Sequence, residues 1–316
     1  MKALVYTGPK QLEIQDVPRP DGAAIKVEYC GICGSDMHAW AGHDARRPAP
    51  LVLGHEIAGV ADDGRRVTIN PLVTCGKCPA CREGRDNLCP DRQILSMPPR
   101  PGGFAEYIVA PDDNLIVVPD NVPLAAAALA EPFACGWHAV RLAEKVLFHP
   151  IDQIKCLVLG GGAIGIGAAL ALQAFGATDI TLVEPNAMRR ARVSHLPGIS
   201  FTDAPIAAEL VIDAVGHAET RATAFAQVYP GGVIAHIGLG SAEGGLDARR
   251  ATLQEITFFG TYTYTRTDFQ ETASAIFDGQ LPTDGLIDIH DLADGPGLFD
   301  KLSKGQIAAA KVLLRP

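Results

Sequence analysis

Four thiols fall within one short loop, Cys75, Cys78, Cys81 and Cys89, spaced C-x2-C-x2-C-x7-C. Four thiolates close a tetrahedral zinc site, with sulfur ligands at about 2.3 Å, and leave no open position, so such a cage is structural rather than catalytic. Gly76, Pro79 and Gly84 let the chain wrap around one ion, and Lys77, Arg82 and Arg85 would offset part of its negative charge. A redox CxxC comes as a pair on a βαβ unit, not as a quartet in a Gly/Pro loop. Upstream lie two more clusters of metal-ligand type, Gly31-Ile32-Cys33-Gly34-Ser35-Asp36-Met37-His38 and Gly54-His55-Glu56. Cys30 makes a CxxC with Cys33, but its simpler reading is a buried thiol. Cys135 and Cys156 are dispersed.

A second chemistry is carried by Gly160-Gly161-Gly162-Ala163-Ile164-Gly165, a G-x-G-x-x-G run that follows the apolar Leu157–Leu159 and opens a helix. An acidic residue, Glu184, ends the next strand 19 residues after Gly165. That context is the dinucleotide fingerprint. Gly160 permits the tight turn, Gly162 lets backbone approach a pyrophosphate, and Gly165 allows close helix–strand packing. The N–H groups of Ala163 and Ile164 would donate to the pyrophosphate at the helix N-terminus. Glu184 would accept from the ribose hydroxyls and favour NAD over NADP. Arg189 and Arg190 are the counter-indication, since an arginine here could receive a 2′-phosphate; otherwise they are solvated residues of a helix start.

The elements that must position these groups fall into two textures. The first third reads as short strands broken by Gly and Pro: Ala3–Thr7, Leu12–Asp16, Ala24–Glu28 and Phe104–Ala110. Leu124–Leu129 is alanine-rich and reads as a buried helix. From Ile154 the pattern alternates strand and helix: strand Cys156–Leu159, helix Ala163–Phe175, strands Ile180–Val183, Leu210–Ala214 and Val233–Ile237. Lys311–Leu314 reads as a further strand. The expected organisation is α/β, with a partly open β-barrel over residues 1–132, a doubly wound domain over 133–262, and a return to the first domain over 263–316.

The chain has 316 residues and a formal charge of −9, which argues against a nucleic-acid partner. No apolar run approaches the roughly 20 residues that span a bilayer, so no membrane partner is expected. Eight cysteines without a secretory signal fit a reducing cytoplasm with thiols held by metal. The apolar stretch Val233–Thr263 could pair across a two-fold, giving a homodimer or homotetramer.

The Cys-Gly-Ser-Asp run, Gly-His-Glu, the four-cysteine lobe, Glu131-Pro132 and the glycine fingerprint occur in the order found in the zinc-dependent medium-chain alcohol dehydrogenases, and the chain resembles that family over nearly its whole length. The closest likeness is to the polyol or sorbitol dehydrogenase-like branch. The resemblance implies a GroES-like catalytic domain with a Rossmann domain, one catalytic and one structural Zn2+, and NAD. It implies that Cys33 and His55 are ligands of the catalytic zinc and that the third, cysteine in some branches and glutamate in the polyol branch, falls on Glu131, with Cys135 as its competitor. Such a set leaves a fourth position open, as a catalytic zinc requires. Glu56 would sit beside the metal or ligate it directly, and Asp36 would orient the histidine. Cys75, Cys78, Cys81 and Cys89 would hold the structural ion.

The same resemblance implies oxidation of a small secondary alcohol, a polyol or sugar alcohol, to its ketone. Zinc would lower the hydroxyl pKa and the hydride would pass to the nicotinamide. Ser35 resembles the first hydroxyl of a proton relay and His38 its terminal base, a role suited to an imidazole titrating near neutrality. Val215 and Ile237, at strand ends, resemble the nicotinamide-side turns. A primary, amino-acid-derived or cyclic alcohol, or a non-catalytic nucleotide-binding scaffold, remain the alternatives. Met37 and Trp40 could wall a pocket or belong to the core, and His43, Arg46 and Arg47 read as a solvated loop. One departure stands out: the segment Ile57–Arg65 is short for the family, so a hairpin of the barrel is expected to be trimmed.

Overall fold

The strand signals of the first third resolve into two sheets in a computed structural model that describes residues 1–316. A three-stranded sheet orders Gln11–Asp16, Lys2–Gly8 and Leu51–Val52. A seven-stranded sheet runs Leu115–Val117, Arg66–Ile69, Glu56–Ala61, Ala24–Gly31, Lys311–Arg315 and Ile287–Asp291, with Tyr107–Val109 paired to Ala24–Gly31. Leu4, Tyr6, Ile25, Ile57, Ile69, Phe104, Phe299 and Leu314 fill one core. Trp40 is part of that core and Met37 packs on it, so the core reading of both applies.

The strand expected over Phe104–Ala110 is divided between partners. Leu4 N donates to Phe104 O and Glu106 N to Lys2 O, whereas Tyr107–Val109 forms the ladder with Ala24–Lys26. The chain thus crosses from one sheet to the other within a few residues. Between Glu56–Ala61 and Arg66–Ile69 the connection is a tight turn closed by Ala61 N to Arg65 O at 2.9 Å, with Gly64 at φ 88°. Only glycine adopts that φ without strain. The segment Ile57–Arg65 thus closes as a tight hairpin.

The alanine-rich stretch forms only the short helix Leu124–Ala127. A 15-residue helix, Ala130–Glu144, follows directly, with Glu131 in its first turn. Pro132 is compatible with that first turn, where its missing N–H breaks no helical bond.

The second unit carries a six-stranded parallel sheet ordered Ser200–Thr202, Asp179–Val183, Lys155–Leu159, Ala208–Asp213, Val228–His236 and Thr257–Gly260. This is the doubly wound order, reversing at Lys155–Leu159. Strands buried on both faces read as continuous apolar runs, as Cys156-Leu157-Val158-Leu159 does. Helix Ala163–Ala174 packs against Ala130–Glu144 through glycine contacts: a Cβ on Gly167 would lie 2.8 Å from Phe133 Cα, and one on Gly136 would lie 2.4 Å from Ala168 N.

By compactness, the first unit comprises Met1–Glu131, Thr265–Asp278 and Ile287–Pro316, and the second Pro132–Tyr264 with Gly279–Leu286. The excursion Gly279–Leu286 is held in the second unit by polar bonds: Arg192 Nε donates to Gly285 O at 2.6 Å, and the His195 ring bonds Asp284 O at 2.9 Å. No helix is long and apolar enough to cross a membrane.

Candidate active site

The four lobe sulfurs converge so that all lie within 4.8 Å of one another. Cys78 caps the short helix Pro79–Arg82, and its sulfur accepts from Cys81 N at 3.5 Å. Cys75 Sγ accepts from Cys78 N at 3.4 Å and stands 4.0 Å from Cys81 Sγ. A zinc–sulfur distance of about 2.3 Å implies tetrahedral edges of about 3.8 Å, so the thiols already have the spacing of a cage, about twice that of a disulfide. The amides of Lys77 and Cys78 pull the Cys75 thiol down to about 6, while burial and the Cys78 thiol push Cys81 up to about 12. The Cys75 thiolate is therefore cheap, whereas that of Cys81 needs a cation. Arg85 contributes less than expected, because its guanidinium is bound to Glu83 at 2.5 Å.

The second convergence is Cys33, His55 and Glu56, whose ligand atoms also lie within 4.8 Å of one another. Sheet register creates it. Gly31 pairs with Glu56 on one side and Leu313 on the other, and Cys33 follows immediately as N-cap of the helix Gly34–Trp40. Gly31 is required by space: a Cβ there would fall 1.9 Å from Glu56 Oε2. Asp36 is fully buried. Its Oδ2 accepts from Cys33 N at 3.0 Å, and its Oδ1 accepts from Gly54 N at 3.2 Å and lies 3.5 Å from His55 Nδ1. Because that carboxylate only accepts, Nδ1 carries the hydrogen and Nε2 is left for a metal. Ser96 Oγ, 3.3 Å from the same Nδ1, is a second partner.

Electrostatics agree. Burial disfavours an imidazolium at His55, yet the Asp36 and Cys33 charges overcome it and hold the ring well above its ordinary range. For Asp36, burial is likewise outweighed, chiefly by His55, and its carboxyl lies below the usual range. The pocket carries a surplus of negative charge that a dication would satisfy. Glu56 Oε1 accepts from Lys311 Nζ at 2.5 Å, while its buried Oε2 has no hydrogen-bond partner. An orphaned carboxylate oxygen beside a thiol and an oriented imidazole fits a divalent metal.

Glu131 stands outside that trio, buried at the start of helix Ala130–Glu144, and its charge acts on Lys311. Cys135 lies one turn along the same helix. Ser35 and His38 are half-buried, three residues apart on helix Gly34–Trp40. Cys30 is fully buried, its thiol pushed well up by burial and by Asp36 and Glu56, so it is the inert thiol expected. The solvated-loop reading of Arg47 is corrected: the residue is 3% exposed. Its guanidinium donates to Ser96 O at 3.1 Å, Ser35 O at 3.0 Å and Asp44 Oδ2 at 3.1 Å. Arg47, Ser96 and Lys311 escaped the sequence reading; only the oddity of Lys311 opening an apolar strand could have drawn attention to it.

In the second unit, Gly160 has φ 104°, and a Cβ on Gly165 would lie 1.8 Å from Gly160 O. A Cβ on Gly162 would meet nothing within 4 Å, leaving open space at the N-terminus of helix Ala163–Ala174, where Ala163 and Ile164 follow. That cradle fits a pyrophosphate. Glu184 is buried beside it, its Oε2 accepting from Gly161 N at 3.0 Å and from Arg189 Nη1 at 3.3 Å. Val215 covers Gly160, and Asp213 fixes the turn by accepting from Val215 N at 3.1 Å and Gly216 N at 2.9 Å. Ile237 N is bound to Asp213 O.

A thiol cage, a buried thiolate–imidazole–carboxylate site and a dinucleotide turn on this pair of folds together define a zinc-binding oxidoreductase. The chain belongs to the zinc-binding, medium-chain alcohol dehydrogenase family. Residues 19–120 match the alcohol dehydrogenase GroES-like domain, and residues 163–278 match the zinc-binding dehydrogenase domain. The chain is 32% identical over 315 residues to the L-galactonate-5-dehydrogenase of Escherichia coli K12, covering 91% of this chain and 90% of that protein. It is 31% identical over 349 residues to the sorbitol dehydrogenase of Bacillus subtilis, covering 100% and 97%. Among solved structures, the acetophenone reductase of Geotrichum candidum in complex with NAD is 28% identical, with a TM-score of 0.89 and coverage of 100% and 97%.

Proposed function

We propose that this protein oxidises a secondary alcohol of the polyol or sugar-alcohol class to its ketone with NAD as hydride acceptor. The observation that carries the reading is the buried trio Cys33, His55 and Glu56, with an unpartnered carboxylate oxygen, in a chain whose relatives include sorbitol and galactonate dehydrogenases. Zinc bound there would supply the Lewis acidity that makes the substrate hydroxyl acidic.

The chain's own residues do the rest. Cys33 and His55 would hold the ion, with Glu131 as third ligand and Glu56 beside it. Asp36 and Ser96 engage Nδ1 of the His55 ring, which leaves Nε2 as the atom that would ligate. Ser35 accepts the proton of the substrate hydroxyl while giving up its own, which would pass through the cofactor ribose to His38 on the same helix and from there outward. Gly160, Gly162, Ala163, Ile164 and Gly165 cradle the pyrophosphate, Glu184 engages the ribose, and Val215 and Ile237 border the nicotinamide. Cys75, Cys78, Cys81 and Cys89 hold the structural zinc, which suits a reducing compartment such as the cytoplasm. Thr257–Gly260 is an edge strand with Leu253 exposed nearby, which favours a homo-oligomer built on that edge.

The test is a panel of polyols and simple alcohols assayed for NAD reduction, run beside Glu131→Ala. The expected result is turnover with a vicinal-diol substrate and its loss in Glu131→Ala. If no alcohol reduces NAD while zinc and NAD still bind, the reading is wrong.

A further inference from the structure

We infer that Arg221 is a positioning residue for the nicotinamide half of the cofactor, because it ties the turn after Ala208–Asp213 and the loop after Val228–His236 into one piece. This rests on the dehydrogenase reading above and deepens it at the end of the pocket that Val215 and Ile237 border.

Arg221 lies in the second turn of the helix Ala218–Gln227 and is 4% exposed. A buried charge ordinarily has a counter-charge, and the positive end of a helix is a poor place for a cation. A guanidinium has five donors, and here each finds an oxygen, none of them a carboxylate. Nε donates to Gly244 O at 2.7 Å, and Nη1 to Gly216 O at 2.7 Å and Ser241 O at 2.9 Å. Nη2 donates to Ser241 Oγ at 3.0 Å and to Glu243 O. Gly216 belongs to the first turn and the other acceptors to the loop, so one side chain stitches the two together.

The two segments touch along their backbones. Gly216 has φ 77°, and a Cβ there would fall 2.1 Å from Gly238 C, while one on Gly238 would fall 2.1 Å from Val215 C. Gly240 N donates to Val215 O at 3.2 Å and Ser241 N to Gly216 O at 2.9 Å. Beyond Gly238 the loop has no apolar anchor: Leu239 and Leu246 are 71% and 61% exposed, and residues 241–244 are exposed throughout. A segment with so little apolar burial opens easily unless polar bonds hold it. The guanidinium beneath it supplies those bonds.

Strand ends are where a doubly wound sheet presents its ligand, and Val215 and Ile237 stand at two of them. The glycine turn at 160–165 and Glu184 share no hydrogen bond with Arg221, so the adenosine half is held by other means. Without the guanidinium the loop carbonyls return to water and the fold survives. The arrangement beside Val215 and Ile237 then becomes one of several. A site whose competent arrangement is populated about one time in ten binds about tenfold more weakly.

The experiment uses the zinc-loaded enzyme, wild type, Arg221→Met and Arg221→Lys. NADH binding is read by nucleotide fluorescence and ADP binding by calorimetry. Opening of the loop is read as cleavage after the exposed Glu243 by a glutamate-specific protease, identified by fragment mass. We expect Arg221→Met to weaken NADH about tenfold, to leave ADP within about twofold, and to speed that cleavage about tenfold. Arg221→Lys keeps the buried charge, but one ammonium cannot span the five oxygens, so it should show the same split in smaller measure. An Arg221→Met variant that binds NADH within about twofold of wild type overturns the inference. So does a variant that weakens NADH and ADP equally, which marks the arginine as a support of the fold alone. Neither result touches the dehydrogenase reading, which falls only if wild type binds NADH and oxidises no alcohol.

Discussion

Replacing Lys311 by methionine isolates the ion pair behind the proposed metal. The ammonium donates to Glu56 Oε1 at 2.5 Å and to Ile32 O at 3.0 Å, and the two side chains are 5% and 0% exposed. Methionine keeps the length and the apolar stem but leaves a buried carboxylate with neither oxygen partnered. Breaking a buried pair from one side costs about 3–5 kcal/mol, and the orphaned Ile32 carbonyl adds about 1 kcal/mol. The metal-free protein should therefore lose about 4–6 kcal/mol in urea unfolding of the first unit. Trp40, the only tryptophan of that unit, reports it once Trp137 is changed to phenylalanine. Adding Glu56→Gln to Lys311→Met should restore about half of the loss or more, since the stranded charge is gone. Zinc-loaded protein should be penalised less, because the ion supplies countercharge to Glu56. A loss below about 1 kcal/mol without metal, or no recovery in the double variant, refutes the reasoning.

Two further outcomes are expected. Gly31→Ala places a methyl 1.9 Å from Glu56 Oε2 and must displace that carboxylate from beside the proposed ion, so the site of Cys33 and His55 should hold zinc more weakly, read as a lower chelator concentration needed to strip the first of about two zincs per chain by mass spectrometry. Asp213 is held below the ordinary carboxylate range: burial raises it, but the His236 hydrogen bond and the Gly216 and Val215 amides prevail. A depressed folded pKa means the unfolded chain binds more protons. Its stabilisation is therefore complete above about pH 4 and disappears as pH falls through the folded value. Asp213→Asn should flatten the stability-versus-pH curve of the second unit in that acidic window, as followed by circular dichroism.

What could be read from the sequence was local. The cysteine quartet and the glycine turn each sit within a few consecutive residues, so spacing alone fixes their geometry. Glu184 was also legible, since a strand end follows from neighbouring residue types, whereas the helix Gly34–Trp40 that Cys33 caps came from the structure. Lys311 was not, because its partner Glu56 lies 255 positions away and only sheet register brings them together. Arg47 was misjudged for a related reason: its loop looks polar and Pro-bounded, but the guanidinium is buried by Ser96, 49 residues on. The helix Ala130–Glu144 has no counterpart in the sequence reading; Pro132 falls in its first turn, where a proline is permitted.

The strand Lys311–Arg315 completes the register around Gly31 and brings the only ammonium bonded to Glu56. During synthesis, both segments of the second unit, Pro132–Tyr264 and Gly279–Leu286, emerge before that strand exists. Until residue 311 leaves the ribosome, Glu56 has no lysine, and the half-built barrel cannot bury that carboxylate with a partner. Chains interrupted before this strand should consequently keep a nucleotide fold beside an unfinished metal half. Maturation of the thiolate–imidazole site is thereby coupled to translation having passed residue 311.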